Sequence, residues 1–145
     1  MNTIRTWAAL VVVMGLALAT LSKQAAAKDV GVIDGDTYAA IAYSPSTGKR
    51  GYAYNYGSRW GAEKAALANC KADDAKIVAW VNNGFCALAI GSDKDAYGTG
   101  YSYGDGANNQ YAMRRARAEG EKRTTNVRVV LCVCSTGQFA PYVAE

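Results

Sequence analysis

The sequence predicts an α+β domain: two tandem ββαβ repeats forming a mostly antiparallel sheet with two helices packed on it. Two observations predict this. The first is internal similarity. With residue 38 set on residue 85, Tyr38-Ala-Ala-Ile-Ala-Tyr43 falls on Phe85-Cys-Ala-Leu-Ala-Ile90 without a gap. In the same register Gly51, Tyr54, Tyr56 and Gly57 fall on Gly98, Tyr101, Tyr103 and Gly104, and after a short insertion Lys76-Ile-Val-Ala-Trp-Val81 falls on Arg128-Val-Val-Leu-Cys-Val133. The second is that local signals inside both copies, about 38–84 and 85–135, read as the same order of elements.

In the first copy, residues 38–43 form an apolar run closed by the turn cluster Ser44-Pro45-Ser46-Thr47-Gly48, and residues 51–56 then alternate tyrosine with small or polar residues. That pattern is a β-hairpin. Ser58 can accept a hydrogen bond from a free amide at a helix start, and the alanine-rich stretch to Lys71 follows it, with the helix ending near Cys70. Ala62, Ala65, Ala66, Leu67 and Ala68 offer it a face of mostly small side chains to lay on the sheet. Residues 76–81 are β-branched and apolar enough for a buried strand. Asn82-Asn83-Gly84 is the sharpest hairpin signal in the chain, because Asn-Gly tolerates the positive φ of a tight turn. The second copy predicts strands at 86–90 and 97–103, a helix over 109–121 that is richer in arginine and more exposed, and a strand over 127–134. Trp60 and Trp80 are expected in the core.

The N-terminus predicts export. Arg5 precedes an apolar run from Trp7 to Leu21, and Ala25-Ala26-Ala27 supplies the small side chains a signal peptidase inspects. Cleavage after Ala27 makes residues 1–27 a signal peptide and residues 28–145 a single secreted or periplasmic domain. The run is shorter than the roughly 20 residues that cross a bilayer, so no stable membrane insertion is expected after cleavage. The leader takes Arg5 and Lys23 from the 16 Lys+Arg, leaving 14 against 12 Asp+Glu. So slight a positive balance points to no nucleic-acid partner, and the cluster Arg114, Arg115, Arg117, Lys122 and Arg123 reads as a solvated helix face.

Four cysteines, Cys70, Cys86, Cys132 and Cys134, fall in the exported part, an even count that points to two disulfides. Cys132 and Cys134 sit two apart on one strand, too parallel to bridge each other, so each is expected to pair with Cys70 or Cys86. The repeat favours Cys86 with Cys134 and Cys70 with Cys132; the swapped pairing stays open. Each bridge would contribute about 4 kcal/mol in the chain-entropy model.

Residues Ala39-Ala-Ile-Ala-Tyr-Ser-Pro45 with Gly48, the helix from Ser58 to Cys70, Lys76-Ile-Val-Ala-Trp80, Cys86-Ala-Leu-Ala89 and Val133-Cys-Ser135 together resemble a known family. It consists of small exported bacterial proteins, including secreted mycobacterial members, grouped as domain of unknown function family 4189. The resemblance implies fold and export but no activity. Ala75 stands where the family pattern leads one to expect a cysteine, and Cys132 where it leads one to expect tryptophan. The two departures compensate if Cys70 pairs with Cys132.

The chain has no histidine, which removes serine-histidine and cysteine-histidine mechanisms and the commonest metal ligand. Without a CxxC spacing either, no metal and no cofactor are expected. The acids in Asp34-Gly-Asp36, Asp73-Asp74 and Asp93-Lys-Asp95 fall in turns or the N-terminal extension, where aspartate serves local hydrogen bonding. The candidate binding residues are Tyr52, Tyr54, Tyr56, Tyr101 and Tyr103, which form a single patch if their two strands meet, though ordinary packing under a helix is the plainer account. The expected function is therefore a non-enzymatic interaction module, inhibitor-like or effector-like, with a protein or glycan partner outside the cytoplasm. A carboxylate-dependent cell-wall or glycan hydrolase is the alternative.

Overall fold

The computed structural model describes residues 35–104 and 106–145; the expected signal peptide and Asp34 lie outside the described residues. The elements are β1 (Tyr38–Tyr43), β2 (Arg50–Tyr56), α1 (Arg59–Cys70), β3 (Lys76–Asn82), β4 (Gly84–Ile90), β5 (Gly98–Tyr103), α2 (Asn109–Glu121), β6 (Arg128–Cys134) and β7 (Tyr142–Val143). The class is α+β, as expected. The strands form two antiparallel sheets, ordered β2-β1-β3 and β5-β4-β6-β7, rather than the single sheet expected.

The reason lies in β1 and β4, each flanked by partners on both sides and apolar on both faces. In β1 the larger side chains Ile41 and Tyr43 point one way and Ala40 and Ala42 the other. In β4, Cys86 and Leu88 point one way and Phe85, Ala87 and Ala89 the other. The alanine faces receive helices; the bulkier faces meet each other, with Val81, Val130, Leu131 and Val133, in one core between the sheets. The layers run α1, first sheet, second sheet, α2. Each large side chain in that middle layer contributes about 1.5–3 kcal/mol by leaving water. Asn82-Asn83-Gly84 is accordingly not a hairpin: β3 and β4 do not pair, and Asn83, at φ +45, steps the chain from one sheet to the other.

Small residues set the helix-to-sheet distance. Ala62, Ala66 and Cys70 of α1 are buried against β1 and β2, and a Cβ on Gly51 would lie 2.7 Å from Cys70 Cα. Ala112, Ala116 and Gly120 of α2 are buried likewise, and a Cβ on Gly98 would lie 2.8 Å from Gly120 Cα. Leu67 and Ala68, expected on the packed face of α1, are instead exposed. Trp60 is 70% exposed with Lys64 Nζ 4.9 Å from its ring, and Trp80 is half-buried under the Arg59 guanidinium, so neither indole is a core anchor.

The expected sulfur bridges are corrected as well, since all four thiols are free and buried. Cys86 lies opposite Val133 and Cys134 opposite Phe85, so Cys86 and Cys134 project from opposite faces of one sheet. Cys70 is on the buried face of α1 and Cys132 lies beneath α2, with both sheets between them. The swapped pairing fails for the same reason. Burial raises the pKa of Cys70 and Cys86, and pushes that of Cys132 up to about 12.

Candidate functional site

The five tyrosines do not form one patch. Tyr52 and Tyr54 stack at 6.4 Å on β2, which lies over β6; Tyr101 and Tyr103 stack at 6.0 Å on β5, which lies under β3. The two stacks occupy opposite margins of the sandwich. Tyr56 leaves its neighbours altogether. Asn55, at φ +62, makes a bulge in which Tyr38 and Ala40 of β1 face Tyr56 and Ala53, so the alternation slips by one and Tyr56 packs with Tyr38 and Trp80 on the α1 side.

The margin at β5 is recessed. A groove of about 720 Å³ runs between β5 and α2, lined along the strand from Thr99 to Tyr103 and along the helix by Tyr111, Arg115 and Glu119, with Arg123 just beyond its end. Those helical positions are four residues apart and so stack on one face. Tyr103 and Tyr111 are 61% and 45% exposed, leaving flat apolar surface with a polar tip facing solvent. The Lys122 ammonium, 2.7 Å from Glu119, holds that carboxyl below its usual range, while Arg115 is exposed. The wall is held by local chemistry: Asn108 caps α2 by accepting from the Tyr111 amide at 2.8 Å, and the Asn108 amide donates to Ser102 Oγ at 3.0 Å. Arg115 and Arg123, read from sequence as an ordinary solvated face, and Tyr111 thus belong to a concave surface; their four-residue spacing was the available signal.

A second cleft, of about 360 Å³, lies beside β2 and includes Lys49, Arg50, Tyr52 and Cys70. Arg50 is committed there to structure: its guanidinium donates to the carbonyls of Val130 and Ala144 at 3.1 and 3.2 Å, tying the first sheet to the second.

Three aspartates, Asp36, Asp74 and Asp93, hold loops. The hydroxyl of Ser44 and the hydroxyl and amide of Ser46 bond Asp74 and lower its carboxyl pKa to about 2. Asp36 accepts from Asn83 Nδ2, and Asp93 from the Asp95 amide. Among the described residues, the cleft beside β2 is lined by no carboxylate and the groove by Glu119 alone, not by the acid pair that glycoside hydrolysis requires. Among the described residues no three of Cys, Asp and Glu converge on a point where a metal ion could sit, and no helix is long and apolar enough to cross a membrane.

Fold and groove define a two-sheet α+β domain with a helix on each outer face and a tyrosine- and arginine-lined recess at one sheet edge. The chain belongs to the family described as Domain of unknown function (DUF4189), whose sequence profile matches residues 38–134. Searches of curated proteins and of solved structures found no match.

Proposed function

We propose that this protein is an exported, non-enzymatic interaction module whose contact surface is the groove between β5 and α2. The observation that carries this reading is the groove itself: exposed Tyr103 and Tyr111 beside Arg115, the aromatic and arginine composition that concentrates binding energy at interfaces. Export rests on the leader sequence. The partner is a protein or glycan met outside the cytoplasm.

The chain is further proposed to be two copies of one ββαβ unit. Supporting this, the pairing of β1 with β3 slips between Ile41 and Ala42, and that of β4 with β6 slips at the corresponding Leu88 and Ala89. Gly51 and Gly98 meet their helices in the same way. Tyr54 and Tyr101 are then equivalent positions, each stacked on a different neighbour, Tyr52 and Tyr103, and only the stack on β5 borders the groove.

The test is affinity capture from envelope and culture-medium fractions with the secreted protein and its Tyr103→Ala/Tyr111→Ala variant. A saturable partner retained by the parent and lost by the variant is expected. Equal retention by both, or no saturable partner, would overturn the reading. N-terminal sequencing of the secreted form is expected to begin at Lys28; an intact leader on soluble protein would refute export by cleavage.

A further inference from the structure

We infer that the open edge of β5 accepts an acidic peptide segment of a partner protein as an added β-strand, laid in the groove between β5 and α2. The inference rests on the interaction-module reading and specifies its ligand.

A sheet edge presents a row of unpaired amides and carbonyls, and proteins blunt such edges unless they are used. In this molecule the other margins are blunted. On β2, Asn69 of α1 donates from Nδ2 to the Tyr52 carbonyl at 2.9 Å, and the bulge at Asn55 diverts that residue's amide to the Ser135 carbonyl at 2.8 Å. β6 is covered by β7, itself only two residues long, and β3 begins with a lysine, Lys76. β5 has none of these devices. It is six residues, Gly-Thr-Gly-Tyr-Ser-Tyr, without charge, proline or bulge. Among the described residues, no side chain bonds a backbone carbonyl between 98 and 103.

Ser58 caps α1 and Asn108 caps α2; counted from those caps, the position of Asn69 is occupied in α2 by Glu119. A carboxylate cannot donate to a strand carbonyl, and Glu119 turns to Lys122 instead. Just before β5, Arg123 Nη1 donates to the Tyr97 carbonyl at 3.0 Å and closes that end, so the free stretch is Thr99 to Tyr103. That is about five residues of extended chain, roughly 17 Å, close to the length of helix facing it. Strand addition gives affinity through main-chain bonds, and flanking side chains supply selectivity. Here the flank is cationic: between positions 114 and 123, five Arg and Lys stand against Glu119 and Glu121, and both glutamates are paired. An acidic peptide complements that charge.

The probe is a displayed library of random linear dodecapeptides selected on the secreted protein, with winners measured by fluorescence anisotropy. Winners enriched in Asp and Glu are expected. Methylating alternate backbone amides within the bound segment should weaken them tenfold or more, and Arg115→Glu should do the same while leaving the circular dichroism spectrum unchanged. Arg115→Lys should retain binding. No enrichment, basic winners, or insensitivity to amide methylation overturns strand addition. A natural partner captured by the parent and kept by Arg115→Glu would also overturn it while leaving the interaction-module reading standing; capture of no partner at all sinks both.

Discussion

Gly51, Gly98 and Gly100 decide how closely the helices approach the sheets. A Cβ on Gly100 would press on the Ala112 carbonyl and the Ala116 amide, backbone groups that cannot rotate away, and would lie 2.8 Å from Arg115 Cβ. Gly100→Ala is therefore expected to cost about 3 kcal/mol, the upper range for overpacking, read as a lower urea midpoint at unchanged slope. Asp74 carries the clearest pH effect. Its folded pKa, about 2, lies below the value of an unfolded aspartate, so its stabilisation is complete above that unfolded value and is lost as pH falls through the folded one. Asp74→Asn should leave unfolding less sensitive to acid between about pH 4 and pH 2. An unchanged slope of stability against pH in that window would show that the Ser44 and Ser46 bonds do not hold this loop.

At the scale of elements the local rules operate almost unaided. Ser58 Oγ accepts from the Gly61 amide at 3.2 Å, and α1 begins at the next residue after the cap, as the sequence indicates. Ser58→Ala should cost about 1 kcal/mol in chemical denaturation. A loss near zero would mean that burial of Ala62, Ala66 and Cys70 alone sets the helix start. The hairpin of β1 with β2 and the strand at 76–81 were legible from their apolar runs and turn residues, and the helix over 109–121 from its place in the repeat. Tyr56 was not. Its position follows from Asn55 taking a left-handed conformation inside a strand, and an asparagine between two tyrosines looks like any polar residue of an alternating pattern. β7 was missed for a similar reason: two exposed residues carry no period.

At the scale of the molecule the two halves share one core, so the protein is expected to unfold as a unit. The junction adds polar ties: buried Ser135 accepts from the Gly84 amide at 3.0 Å, and the Asn83 side chain accepts from the Thr37 amide at 2.9 Å. With these contacts and no sulfur bridge, the native protein should show all four thiols by non-reducing mass spectrometry, reacting slowly with Ellman's reagent until denaturant is added. A mass short of four hydrogens would refute the unbridged arrangement.

What the sequence by itself determined was the order of the main elements, the Ser58 cap of α1, the α+β class and the family, because these depend on neighbours a few positions apart. The tertiary structure alone decided that there are two sheets, that the cysteines point into separate layers, and that the tyrosine pairs part to opposite margins. β1 and β4 are apolar on both faces, and alternation with period two says that the faces differ without saying what covers each. That choice is made by volume: alanine and glycine admit a helix backbone, whereas isoleucine, leucine and tyrosine fill the wider gap between sheets. The groove follows from it, since a helix drawn onto β5 by Gly98 and Gly100 leaves Tyr111 and Arg115 standing beside an open strand edge.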